Sequence, residues 1–308
     1  MRAFKFIFLM AGLAMAQSHP SWWGFASPDA TALVGIHWET LQHSAFAAPI
    51  EAEFSGSLGF PDLELFNDAR QILISSPATL AMLTGNFPVA TLRAQAAAKG
   101  LKPASHSGVD LWITPGKNTL SIAQISEQLI LFGSHKTLEA AIDRNLAETG
   151  TGRRYSPLLA RAARFAQTKD LWVVATRLPD PLASLFVPLD TEARGFEGGV
   201  SIREGGVQLE ASLDAGSEDA AAIIAENLRH TVPGLPVVAR GLTIVAEADH
   251  VLLTLDVSHI QLVAEMRQTE VSAPVSEPPK PTGPQIVRIF GLDEGTREIV
   301  LAPVKPEK

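Results

Sequence analysis

From residue 206 onward the apolar positions keep a regular beat. Val207, Leu209, Ala211 and Leu213 alternate with Gln208, Glu210, Ser212 and Asp214, which puts one apolar face on a half-buried strand. The period then changes. Ser217 stands where an N-cap belongs, with Glu218 and Asp219 in the first turn, where acids meet the positive end of the helix dipole. Ala221, Ile224, Ala225 and Leu228 follow at helical spacing, and Arg229 and His230 close the helix before Pro233-Gly234. Leu242, Ile244 and Ala246 alternate again. After a turn at Ala248-Asp249-His250, Val251, Leu253, Leu255 and Val257 line one face of a further strand. Ser258 and Gln261 have capping-box spacing and open a last helix. Residues 206–268 therefore read strand, helix, strand, strand, helix.

The first half carries a similar series. Ala32 to Trp38 is an apolar run of strand length. Ala69 to Ser75 and Thr79 to Thr84 read as two strands joined at Ser76-Pro77-Ala78. Pro88 suits the first turn of a helix whose stripe is Val89, Leu92, Ala96 and Ala97, stopped at Gly100. Val109 to Thr114 is a strand; Thr119 to Gln124 and Gln128 to Phe132 form a hairpin. Ser134 caps a helix bearing Leu138, Ala141, Ile142 and Leu146. Ser156-Pro157 opens a connecting helix to Gln167. Leu171 to Thr176, Phe196 to Arg203 and Val207 to Leu213 then restart the pattern. Each half runs strand, irregular crossover, two strands, helix, two strands, helix, with Val109 to Thr114 extra in the first. This order predicts a diverged duplication. The expected class is α+β: two related repeats (17–155 and 156–269) of mainly antiparallel sheet, with helices on one face.

Outside the repeats the texture changes. Arg2 and Lys5 precede the apolar run Phe6 to Ala16, and Ala14-Met15-Ala16 has the small-x-small form of a cleavage site. Residues 1–16 read as a signal peptide cut after Ala16, too short for a stable membrane anchor, and the expected location is periplasmic or extracellular. Trp22-Trp23 follows in a polar stretch and is expected to tuck its indoles into a groove. Glu270 to Gln285 holds five prolines and reads as an extended linker. The tail 286–308 is different: two β-rich runs flank Leu292-Asp293-Glu294-Gly295, a turn sequence.

Composition narrows the chemistry. The chain has 308 residues and a formal charge of −8, which opposes a nucleic-acid backbone. Removing Arg2 and Lys5 leaves 23 basic against 33 acidic residues, a charge of −10. With no cysteine, thiol catalysis, cysteine-held zinc and iron–sulfur clusters are excluded. No phosphate loop, nucleophile elbow or H-E-x-x-H occurs. His37 and His43 lie near one another without a second pair to complete a metal site. His135 adjoins Ser134 at a helix start, and His250 and His259 sit at a turn and a first helical turn. Asp29, Asp62, Asp180, Asp190 and Asp249 are scattered over turns and caps. No catalytic, cofactor-binding or metal residue is predicted.

The phrases DLWVVATRLPDPLASLF, LILFGSHKTLEAAI and VLLTLDV, with the leader and the tail VRIFGLDEGTREIVL, resemble a group of uncharacterised secreted bacterial proteins. The resemblance covers most of the mature chain and implies no activity. The expected function is non-catalytic protein binding, with the tail residues Ile286, Arg288, Phe290, Leu292, Asp293 and Arg297 docking by β-augmentation on a sheet edge, a neighbour's or the chain's own, where in the latter case the tail only seals that edge. The rival readings are a hydrolase whose His37, His135 or His230 meets a serine or carboxylate in a pocket, and a carrier of an apolar ligand.

Overall fold

The computed structural model describes residues 20–44, 46–48, 51–52, 64–77, 79–116, 120–147, 156–177, 194–261, 285–289 and 297–301. The expected leader lies outside these residues, as do most of the Pro-rich stretch and Phe290, Leu292 and Asp293 of the tail. The chain divides into two compact units, residues 1–262 and 263–308.

The first unit is organised around one antiparallel strand pair at its middle, β1 (Ala32–Ile36) against β8 (Leu171–Ala175). Their register places Gly35 opposite Trp172. A methyl group at Gly35 would lie 2.1 Å from the Trp172 ring, so glycine here is the space the indole occupies. Trp172 is buried, and Trp23 packs on it with ring centroids 5.5 Å apart. The expectation that the paired tryptophans tuck inward holds for Trp23, while Trp22 is half-buried.

Outward from β1 run β2 (Ala69–Ser76), β3 (Leu80–Gly85), β7 (Leu129–Gly133) and β6 (Ser121–Ser126). Outward from β8 run β9 (Gly195–Arg203), β10 (Gly206–Asp214), β12 (His250–Ser258) and β11 (Thr243–Glu247). Strand for strand, the two series have the same order. Each third strand leads into a helix, α2 (Val89–Ala98) after β3 and α5 (Glu218–Thr231) after β10. The first series continues past β6 with β5 (Val109–Ile113) and β4 (Lys102–His106), giving twelve antiparallel strands in all. The two repeats are therefore halves of one continuous sheet.

The α+β class and the antiparallel sheet agree with the sequence reading, with three corrections. First, helices occupy both faces. Leu92 and Ala96 of α2 share a cluster with Leu83, Ile130 and Phe132. Leu138, Ala141 and Ile142 of α3 (His135–Ala147), with Leu158, Leu159 and Ala162 of α4 (Leu158–Phe165), join the cluster of Met82, Leu131 and Trp172. Neighbouring strand residues point to opposite faces, so α2 and α3 lie on opposite sides of the sheet. Second, the first strand ends at Ile36. Trp38 instead starts the short helix α1 (Trp38–Leu41), where its ring is buried and its Nε1 donates to the Phe66 carbonyl at 2.7 Å. Third, the extra strand Val109 to Thr114 is one arm of a hairpin whose other arm, β4, has the sequence KPASH and is mostly exposed. Proline is compatible with such an edge strand because no outer neighbour needs its N–H. The turn between the arms, Ser107-Gly108, has positive φ at both residues, 50° and 83°, the twist that a two-residue hairpin loop requires.

Local signals hold where side chains write them. The Ala220 N–H donates to Ser217 Oγ at 3.2 Å, capping α5. At the other end of the repeat, the Ser258 N–H donates to Gln261 Oε1 at 3.0 Å and the Gln261 N–H donates back to Ser258 Oγ at 3.3 Å. That reciprocal pair is a capping box.

The second unit contains β13 (Gln285–Ile289) and β14 (Arg297–Leu301), an antiparallel pair that forms a two-stranded sheet of its own. Its register sets Arg288 opposite Glu298 and Val287 opposite Ile299.

Candidate functional site: a sheet edge and its surroundings

The sheet has two outer edges of different chemistry. On the first side, β6 is covered by β5, with Asp110, Leu111 and Trp112 in register with Gln124, Ala123 and Ile122, and β4 lies beyond. The outermost residues there include Lys102 and Pro103, a charge and a missing N–H that blunt an edge against further pairing. On the second side the corresponding strand is β11, with the sequence TIVAE. Among the described residues no strand lies outside it. Where the first repeat inserts a hairpin between helix and strand, the second has two single 3-10 turns, Val232–Gly234 and Val237–Ala239. Val245, at the centre of β11, is 47% exposed, and Val237, in the second of these turns, is 64% exposed.

Helix α5 holds this edge strand from one face. Ile224, Ala225 and Leu228 cluster with Ile244, Val251 and Leu253. Arg229 donates to the Ile244 carbonyl from Nε at 3.3 Å and Nη2 at 3.0 Å, and its Nη1 meets Glu226 at 3.0 Å. At the tip of the β11–β12 turn, Ala248 has φ 52°, and Asp249 Oδ1 lies 2.6 Å from His250 Nδ1. The His250 hydrogen bond holds the Asp249 carboxyl below its ordinary range.

The opposite face of the second repeat is polar. Gln208, Glu210 and Ser212 lie in register with Ser201, Gly199 and Glu197 of β9 and with Asp256, Thr254 and Leu252 of β12. Lys169 runs across it: its stem fills the space beside Gly199 and its Nζ pairs with Glu210 at 2.7 Å. Glu197 accepts from Arg161 Nε at 3.0 Å and Arg164 Nη2 at 3.2 Å. Lys169 is itself buried against a more exposed Glu210, while Arg161, Arg164 and Glu197 are exposed or half-buried groups of a polar sheet face. A groove of about 410 Å³ opens at the end of the β9–β10 turn, lined by Arg203, Gln208, Asp256, Ser258 and Gln261 with Val207 and Val257.

One cluster of ionisable groups was invisible in the sequence. His106, at the end of β4, sets Nε2 2.7 Å from Asp143 Oδ1 and Nδ1 3.4 Å from Glu139 Oε1. His135 Nε2 lies 3.3 Å from the same Glu139 oxygen. Ser107 Oγ donates to Asp143 at 3.2 Å, rather than to a histidine. Glu139 and Asp143 are one turn apart on α3, so the cluster ties the hairpin turn to that helix. The i, i+4 spacing of His135 and Glu139 was readable. The arrival of His106 was not, because β4 lacks a strand signature.

The histidines named for a hydrolase do not share a pocket. His135 and His230 each meet a glutamate one helical turn away, His230 Nε2 to Glu226 Oε1 at 3.2 Å, on exposed helix surface. The His37 N–H donates to the Asp170 carbonyl at 2.7 Å, beside the Trp22–Trp23 packing. Among the described residues no group of three or more His, Asp or Glu side chains is arranged to hold a metal ion, and no helix is long and apolar enough to cross a membrane. Of the docking residues named in the tail, Ile286 and Arg288 fall on β13 and Arg297 on β14.

No family model matches this chain, and no curated protein matches its sequence. Solved structures do match. Crystal forms III and IV of TP0453 align with TM-scores of 0.47 and 0.48 at 11% and 10% identity, covering 82% and 79% of this chain and 99% and 95% of theirs. Crystal form I of TP0453 aligns with a TM-score of 0.56 at 10% identity, over 82% of this chain and 98% of that one, so the two proteins are similar in fold.

Proposed function

We propose that this protein is an exported, non-catalytic interaction protein that works by strand addition, with the C-terminal segment 286–301 as the strand donor. The observation that carries this reading is the pairing of a self-contained β-hairpin, β13–β14, with a proline-rich stretch before it. Such a hairpin exposes backbone donors and acceptors on both outer sides, and β-augmentation uses those groups for affinity and alternate side chains for specificity. The open edge at β11 supports the same reading from the receiving side. The common strand order of the two halves supports a duplicated origin, in which one half kept a closing hairpin and the other did not. The ionisable clusters do not favour a hydrolase, because they are ion pairs on or near the surface, and the 410 Å³ groove mixes polar side chains with Val207 and Val257.

The test is a cross-linking pull-down with the whole chain and with a chain lacking Glu270 to Lys308. Strand donation by the tail predicts that the partners of the whole chain disappear on deletion. An unchanged set of partners would remove the tail from the mechanism.

A further inference from the structure

We propose that His106 is a proton-operated clasp on the outer hairpin β4–β5. It holds the hairpin to α3 when its ring is protonated and loosens when the proton leaves. The inference is independent of strand addition and concerns the covered edge of the sheet, beyond β6.

The hairpin closes that edge with little apolar help from its outer arm, since β4 is mostly exposed. Ala104 and Val109 are only partly buried, against the cluster that holds Leu138, Ala141 and Ile142 of α3. The register sets His106 opposite Val109, so it shares their face, and α3 meets it with two carboxylates. Nε2 lies 2.7 Å from Asp143 Oδ1 and Nδ1 lies 3.4 Å from Glu139 Oε1. A neutral imidazole has one N–H and one lone pair, whereas the imidazolium is a donor at both nitrogens. With its single proton toward the nearer carboxylate, a neutral ring turns the Nδ1 lone pair on the Glu139 oxygen. Protonation replaces that repulsion with a second ion pair. The His106 side chain is 25% exposed, so a proton reaches it without unfolding.

The other polar groups nearby leave this balance in place. His135 Nε2 lies 3.3 Å from the same Glu139 oxygen, behind it as seen from His106. Ser107 Oγ donates to Asp143 in either state of the ring. On β5, Asp110 stands opposite Ser105 and so faces the other way, where it meets Arg93 of α2 at 3.5 Å. Lys136 and Arg144 of α3 line a separate groove with Ser27 and Leu80, and Arg144 donates to the Phe25 carbonyl at 3.2 Å. Lys102 shares the face of His106 from the far end of β4. Among the described residues, the charges that meet the His106 ring are therefore Glu139 and Asp143.

The test is amide deuterium exchange over 102–113 in the whole chain, read against H106A at the same pH so that the intrinsic pH dependence of exchange cancels. Histidine side chains change charge between about pH 5 and 8, so the comparison is made at about pH 5.5 and about pH 8.5. The parent is expected to be protected about two- to fivefold over H106A at the lower pH, and under about 1.5-fold at the higher. E139Q supplies an amide N–H for the unprotonated Nδ1 and is expected to keep one level of protection at both pH values. H135Q leaves both contacts of His106 in place and is expected to keep the parental dependence. Equal exchange of parent and H106A at both pH values would overturn the clasp, and an advantage that persists undiminished at the higher pH would overturn its control by the proton. An E139Q variant that loosens with pH as the parent does would overturn Glu139 as the partner that reads the proton. A dependence lost in H135Q would overturn His106 as the group that titrates.

Discussion

The two repeats are built on one strand order and buried to different depths. In the first, β2, β3 and β7 are apolar on both faces because α1 and α2 cover one side and α3 the other, while α4 packs at the junction over β1, β8 and β9. In the second, α5 covers one face, while the other carries Glu197, Gln208, Glu210 and Thr254. The difference extends to the edge: β6 is closed by a hairpin, and among the described residues no strand lies outside β11. A strand's hydrophobic period thus reports how many layers cover it, and an unmatched edge marks where the sheet can still grow.

That contrast can be broken at its junction first. Trp172→Ala removes the ring that fills the space over Gly35 and is expected to cost about 3–5 kcal/mol, read as a lowered urea midpoint. A loss under about 1 kcal/mol would deny the β1–β8 pair its central role. Paired truncations sharpen it next. Ile130→Ala on β7, fully buried, is expected to cost about 2–5 kcal/mol, and Leu255→Ala on β12, half-buried, about 1 kcal/mol. Equal losses would contradict the unequal layering. Ser217→Ala removes the α5 cap and is expected to cost about 1 kcal/mol, with Ser217→Gly much closer to the parent.

The smallest effect concerns pH. The Asp249 carboxyl titrates below its ordinary range because His250 donates to it. Its contribution is complete above the unfolded aspartate value, about pH 3.9, and disappears as pH falls through the folded value. Asp249→Asn is therefore expected to lower stability slightly at about pH 7 and to leave it unchanged below the folded value, which flattens the acid limb of the stability curve. A large loss at neutral pH would show a role beyond this hydrogen bond.

Much of this architecture was written in the chain. The alternation of β10 and β12 announced a single covered face, and Ser217 and the Ser258–Gln261 pair announced their helix starts. The continuous runs QILIS, LAMLT and LILF carried the signature of strands covered on both sides, although helices were expected on one face only. β4 was hidden because Lys102, Pro103 and His106 oppose strand propensity, and only its place at an edge permits it. Trp38 was read into β1 because it closes an apolar run of strand length. A distant carbonyl, that of Phe66, draws it into a helix instead. The His106–Asp143 contact needed that hidden strand, so no spacing rule could have found it. The edge at β11 was legible as a strand, but its openness is a property of the sheet order.

Hydrogen–deuterium exchange over residues 243–247 tests the central claim most directly. It compares the whole chain with one lacking 270–308 across a range of protein concentrations, with β6 as the closed reference. The account predicts slower exchange in β11 of the whole chain than in the chain lacking 270–308, and no change in β6. Equal exchange of β11 in both chains at every concentration would contradict it.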